Sequence, residues 1–530
     1  MTAPSPQHSP PSPVPDLAVE AIDTTLKPSL GQPIVLLTGS PIMRRSVIIA
    51  LVGGLQFGWL MAELTYLNFN NVAFCRMTPI PANQCLLYPG HTNAEWTMAA
   101  TAWSVGGALG ALVSGVVADA YGRRRTLGHN GWLMVVGGLV QLVAPDITTF
   151  AIGRGLNGIA SGVFVNTASN YLREVAPSHE RVRYVVSVQV ALSLGTLVVS
   201  SCMYWIPDAP TSDWTFRVSF GMPMLLGLAT LALMRHMEES PVWLLLSGDV
   251  DGARTTFVKL YVPNTALDSY IDTTIASLGH QVDEIARSSN RLALATSSKY
   301  RTQLLLAIVL ATMQQLCGFN ALLVYGPAMF KALGLRELRL SNTLVNFGRF
   351  YDMGQMVHFG DRFSRRTLLL AGGTAMMVGA LGFTLCQSYP NTTTHWLQLA
   401  CTFVFMMGFC YSIGSLGWLM ALELVPESLG ATAGALATCG TWTAQFFIGV
   451  YFQQIASVGH WGTHAFGMFV VVLALFVAFV AWCVPDTRLK TTDQVTTLFV
   501  PTVCDKVGVD DDGVKDATRG DDNRYLMATP

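Results

Sequence analysis

Charge is what this chain of 530 residues has least of. Asp, Glu, Lys and Arg together make up 12% of it, about half the share found in soluble globular proteins. With 51% hydrophobic residues, such a composition cannot coat a water-exposed surface, which excludes a soluble globular chain. A concentrated basic face is missing as well. The net charge of −1 argues against a nucleic-acid partner, because phosphate binding needs clustered Lys and Arg. There is no nucleotide-phosphate loop, metal-ligand cluster or nucleophile triad, so no enzymatic chemistry, metal or cofactor is expected. The Pro- and Ser-rich N-terminal segment also lacks the basic, apolar and small-residue order of a cleaved signal.

What is present is a series of twelve apolar runs, each close to the ~20 residues that cross ~30 Å of hydrocarbon. They fall at 46–68, 95–118, 126–144, 148–172, 182–203, 216–234, 304–330, 341–359, 368–386, 396–420, 429–455 and 464–482. An even number puts both termini on one side. Arg123, Arg124 and Arg125 follow the second run, Arg173, Arg181 and Arg183 surround the loop after the fourth, and Arg362, Arg365 and Arg366 follow the eighth. Short loops rich in Arg stay cytoplasmic, so both termini are expected there. The chain accordingly divides into a disordered N-terminal tail (1–45), a six-helix bundle (46–234), a cytoplasmic linker with short helices (235–300), a second bundle (301–482) and a C-terminal tail (483–530). Cys75 and Cys85 share the outside loop after the first run, where a disulfide can form. Asn391-Thr392-Thr393 fits a glycosylation acceptor in another outside loop.

Two copies of one pattern run through the chain. Asp119-Ala-Tyr-Gly-Arg123-Arg124 recurs as Asp361-Arg-Phe-Ser-Arg365-Arg366, and Glu174-Val-Ala-Pro177 as Glu423-Leu-Val-Pro426. Glu239-Ser-Pro241 and Asp486-Thr487 end the sixth and twelfth runs. The three offsets agree at about 245 residues, as expected of duplicated six-helix halves with a solute cavity at the midplane between them. The acidic and basic loop groups are placed to interlock on the cytoplasmic face when the cavity opens outward and to separate when it opens inward.

Polar side chains inside the apolar runs are the second signal, since lipid forces them toward protein or a wet cavity. The seventh run holds Gln314-Gln315-Leu-Cys-Gly318-Phe-Asn320, and the fifth holds Gln189. Amides both donate and accept hydrogen bonds, which suits a ligand with many hydroxyls. Gly318 and Pro327 would let the seventh helix bend, Trp418 in the tenth run offers a platform for a ring, and Tyr325 of the seventh run and Arg349 of the eighth are further candidates for binding solute. The eighth run carries Arg349, Asp352 and His358; Arg349 and Asp352, at i and i+3, share a helix face and can pair.

Gly-Gly-Ala-Leu-Gly through Asp119 and Gly122-Arg-Arg124, Gly153-Arg154, Tyr171-Leu-Arg-Glu174 to Pro177 and Arg181, Glu239-Ser-Pro241, Gln314-Gln315 through Asn320, and Val484-Pro-Asp-Thr487 occur in order. In that order and spacing the chain strongly resembles the sugar porter family of the major facilitator superfamily, which includes the facilitative glucose transporters. The resemblance implies an all-α integral membrane fold of twelve helices in two pseudo-repeat bundles. It assigns sugar binding to Gln189, Gln314, Gln315, Asn320 and Trp418. It also implies a charged network of Glu174, Arg181, Glu239, Arg123, Arg124, Arg154, Arg365, Arg366 and Glu423. There are departures: Arg349 stands where many members place a sugar-binding asparagine, Thr441 where glucose facilitators commonly show asparagine, and Cys410 where they carry glutamate. Where proton-coupled relatives place an aspartate, this chain reads Phe57-Gly58-Trp59-Leu60.

The expected function is therefore facilitated diffusion of a hexose or similar small polar solute by alternating access, by a monomer in the plasma membrane whose partners are its solute and the bilayer. A second reading is a proton-coupled or anion-selective carrier of the same fold, using Glu63, Asp352, His358 and Arg349. A third is a nontransporting sugar sensor.

Overall fold

The computed structural model describes residues 37–64, 75, 77, 85, 87–177, 180–204, 214–287, 291–322, 338–360, 362–389, 391–457, 462–488, 494–495 and 498–499. Among them the backbone is helical, with one isolated β-bridge between Gly39 and Tyr261. Helices occupy the twelve apolar runs: α1 (Pro41–Ala62), α2 (Asn93–Tyr121), α3 (Arg123–Val143), α4 (Ile147–Val175), α5 (Arg181–Tyr204), α6 (Trp214–Phe220) with α7 (Met222–Leu233), α12 (Arg301–Leu316), α13 (Leu338–Phe359), α14 (Arg365–Gln387), α15 (Thr392–Tyr411) with α16 (Ile413–Glu423), α17 (Gly430–Ser457) and α18 (Gly467–Cys483). The polar stretch between the halves forms α8 (Pro241–Leu246), α9 (Val250–Leu260), α10 (Leu267–Arg287) and α11 (Arg291–Ala295).

Capping chemistry sets the helix starts. Ser40, with Pro41 behind it, caps α1 through the Met43 N–H, and Thr92 and Glu95 form a reciprocal capping box on α2. Asp146 accepts from the Thr148 and Thr149 amides at the start of α4. Asn391, the expected glycosylation acceptor, is the N-cap of α15. Because α1 begins at Pro41 and the Ser40 N–H donates to the Leu260 carbonyl, the last residues of the segment read as a disordered tail are ordered. Cys75 and Cys85 are joined as a disulfide.

Among the described residues eight helices are long and apolar enough to cross a membrane. The other four runs, α3, α4, α13 and α17, carry buried polar groups such as Asn130, Asn157, Asn346 and Thr441. Protein rather than lipid surrounds those groups, so these helices need less hydropathy. Outside, Leu109, Val116, Val471, Leu475 and Trp482 lie exposed, a surface that only hydrocarbon would tolerate.

Helix pairs repeat with the halves. α1 packs on α5 as α12 packs on α17, α3 on α4 as α14 on α15, and α3 on α7 as α14 on α18. Across the seam α2 meets α17 and α5 meets α13. Small residues bring backbones together where packing alone must hold helices in lipid. A Cβ on Gly106 would stand 2.1 Å from the Gly155 carbonyl oxygen, and one on Gly110 would stand 2.2 Å from that of Ile159. Among the described residues three of the apolar runs are interrupted. Gly318, at φ +89°, ends α12 where expected, and Pro327 lies outside the described residues. The sixth run breaks at Gly221, and the tenth breaks at Ser412 (φ −130°, ψ −109°), neither of which the apolar pattern announces.

Candidate functional site

The break after α12 turns Gln314, Gln315, Phe319 and Asn320 toward a cavity shared with Gln189 of α5, Arg349 of α13, Trp418 of α16 and Phe57 of α1. Six of the residues expected to bind solute thus line one space; the seventh, Tyr325, lies outside the described residues. The free volume is about 30 Å³, room for water rather than a hexose. The amides close it on themselves. Gln314 Nε2 donates to the Gly414 carbonyl at 2.8 Å, and Asn320 Nδ2 donates to Gln315 Oε1 at 2.6 Å. Among the described residues the buried Trp418 Nε1 has no hydrogen-bond partner, so a donor stands ready on the cavity wall.

Several lining residues escaped sequence reasoning. Trp442, buried in α17, meets Trp103 at 4.8 Å and Phe57 at 5.3 Å between ring centroids, tying α1, α2 and α17 together. Thr441, in the position of the expected asparagine, donates instead to the Ala311 carbonyl at 3.0 Å. Arg349 does not pair with Asp352. Its guanidinium lies over the Phe319 ring at 4.8 Å in a cation–π contact, and Phe319 stacks on Phe409 at 4.0 Å. Asp352 is half-buried, and His358 is exposed in the last turn of α13 rather than held inside the bundle.

On the face that carries the repeated loops, the buried Arg123 grips Glu174 through two nitrogens, at 2.7 and 3.0 Å, and reaches Asp119 at 3.3 Å. Such a fork on a carboxylate is the strong geometry for arginine. Glu239 accepts from the backbone N–H groups of Arg123, Arg124 and Ser240, seated at the positive end of α3. Burial raises its pKa, against the pull of those amides and of Arg123. Arg124 binds the Met234 and Arg235 carbonyls. The second half repeats the pattern: Arg365 lies 3.6 Å from Glu423, Thr487 Oγ1 donates to Glu423 at 2.9 Å, and Arg366 binds the Ala481 carbonyl. Asp361 lies outside the described residues.

These clusters are each internal to one half, and of the expected charged network Arg181 is the member that, among the described residues, pairs across the seam. Arg181 meets Glu427 at 3.2 Å, Arg173 binds the Leu422 carbonyl, and Asn166 Nδ2 donates to the Ala431 carbonyl at 3.1 Å. These bonds close the charged face. Arg154 belongs to neither cluster. It stands twenty residues before Glu174 on α4, about 30 Å along the axis, and pairs with Glu63 of α1, both fully buried.

A lipid-exposed helical bundle whose halves close over a polar midplane cavity defines a membrane transporter. The fold matches that of the proton:xylose symporter XylE of the major facilitator superfamily, bound to 6-bromo-6-deoxy-D-glucose, with a TM-score of 0.74 at 21% identity over 86% of this chain and 99% of the other. Facilitated glucose transporter member 4 of solute carrier family 2 (Homo sapiens) is 26% identical, covering 86% of this chain and 90% of its own. H(+)/hexose cotransporter 1 of Parachlorella kessleri is 28% identical, covering 78% of each. The chain belongs to the sugar (and other) transporter family, whose profile matches residues 46–499. It is a multi-pass membrane transporter of the major facilitator fold and not an enzyme.

Proposed function

We propose that the chain moves a hexose or similar polyol by alternating access between the halves 46–234 and 301–482, with 235–300 as the connecting linker. The observation that carries this reading is the convergence of Gln189 from one half with Gln314, Gln315, Asn320 and Trp418 from the other on one cavity. Neutral amides and an indole N–H match hydroxyls, which donate and accept. A hexose needs more than the present free volume, so binding requires Gln315 and Asn320 to exchange their mutual bond for bonds to solute. Placement of both termini in the cytoplasm, by the Arg-rich loops, and residence of a monomer in the plasma membrane belong to the same reading. The test is uptake of labelled glucose and fructose into liposomes carrying the purified chain. Saturable uptake supports the reading; its absence for every hexose and polyol tried overturns it.

A second reading, proton-coupled transport, is favoured by the pair Glu63–Arg154. A carboxylate buried in a transport bundle and held by one arginine is suited to take up and release a proton as that contact opens and closes. The sequence around Leu60 lacks the aspartate of proton-coupled relatives, but Glu63, one turn on, faces Arg154. Uptake driven by an inward proton gradient in the wild type and indifferent to it in Glu63→Gln supports coupling; gradient-independent uptake by the wild type rules it out.

A further inference from the structure

Beside the charged face, the start of α3, the end of α7 and α8 enclose a second cavity of about 790 Å³ that solute binding does not use. One side carries Arg124, Arg125, Arg235 and His129. The two acids nearby, Glu239 and Asp249, are already engaged: Glu239 accepts the three backbone N–H groups named above, and Asp249 accepts that of Gly252 at 2.9 Å. Because Glu239 occupies the α3 N-terminus, charge attraction there is left to the arginines. Arg125 is exposed and, among the described residues, forms no ion pair.

The other side of the cavity is apolar. Trp132, 58% exposed, stands one helical stretch above Arg125 on α3, facing Leu231 of α7. Exposed Val136 on α3 and Leu228 and Leu225 on α7 continue that flank toward the hydrocarbon. Cations at one end, a tryptophan at the level of the interface and an apolar track beyond are the arrangement of a membrane lipid, with head group, glycerol and acyl chain in order. A soluble phosphate would use only the first part.

We propose that this crevice is a binding site for an anionic phospholipid, its phosphate held by Arg125 and Arg235 with help from Arg124 and His129, and its acyl chain lying along Trp132 and Leu228. Its walls come from the first half and the start of the linker, with none from the second half, so the site persists while the halves rock against each other.

The test titrates the purified full-length chain, in neutral detergent, with phosphatidylserine and separately with phosphatidylcholine, counting bound lipid by native mass spectrometry. Inorganic phosphate is added as a competitor. Phosphatidylserine should bind more tightly than phosphatidylcholine and resist inorganic phosphate. The double variant R125Q/R235Q should lose about thirtyfold in affinity for phosphatidylserine, each arginine at such a surface being worth about fivefold. Trp132→Ala keeps the charges and should weaken both lipids alike, which serves if the double variant does not fold. Wild-type affinity in R125Q/R235Q, or in Trp132→Ala where that variant is the one available, overturns the site. Displacement by inorganic phosphate overturns its assignment to a lipid.

Discussion

The Glu63–Arg154 pair makes a quantitative prediction. Both residues are fully buried, 91 positions apart in sequence, on α1 and α4, and a second Glu63 oxygen and the Arg154 Nε have no further partner among the described residues. Glu63→Gln removes one charge and leaves the other in a low-dielectric interior, a change that costs about 3–5 kcal/mol when a buried pair is broken from one side. Replacing both, as E63Q/R154M, removes the uncompensated charge and should recover most of that loss, so the two substitutions should be strongly non-additive. Reversible unfolding in mixed micelles, read by far-UV circular dichroism, measures all four corners of the cycle. A loss below about 1 kcal/mol in Glu63→Gln, or a double variant no better than the single, would refute the claim that the pair is sealed from water.

Other perturbations act on the charged face and the packing. Glu427→Gln breaks the partly exposed bond to Arg181, so the closed-to-open ratio should shift by at most about fivefold, read as faster thiol labelling of a cysteine placed at Ser169 beneath the seam. Glu239 has a carboxyl pKa raised by burial, so the folded chain holds its proton above the ordinary value of 4.5 and stability falls as pH rises through the interval between the two values. Glu239→Gln should flatten that part of the stability profile. Gly110→Val drives a side chain into the Ile159 backbone and should separate α2 from α4, costing at least about 1–3 kcal/mol and lowering the unfolding temperature; an unchanged temperature contradicts the close contact.

How much of this was legible from sequence depended on whether the signal was local. Gln314, Gln315 and Asn320 stood out because amides are out of place in a span that must cross lipid, and the break at Gly318 needed only a residue able to take positive φ. The break at Ser412 has no such local cause. It lies where Gly372 and Gly408 bring α14 and α15 into contact, with Ser412 packed against Gly372, a tertiary effect the apolar pattern does not carry. Arg154 was placed with the charged loops by the family resemblance, whereas Glu63 reaches it across the bundle. Arg349 and Asp352 had the right spacing to pair, but the Arg349 guanidinium lies over the Phe319 ring, presented by the turn after α12, a contact that helix spacing does not announce. Trp442 carries no charge or amide to mark it, and only the meeting of α1, α2 and α17 reveals its place beside the cavity.

The central claim is that the amide-lined cavity binds a hexose, and equilibrium binding of labelled glucose to the purified chain tests it most directly. The wild type should bind saturably. Gln315→Ala should lose that binding while unfolding at the wild-type temperature, since the Gln315 side chain bonds only Asn320 among the described residues. Wild-type affinity in Gln315→Ala would contradict the assignment of α12 to the solute site.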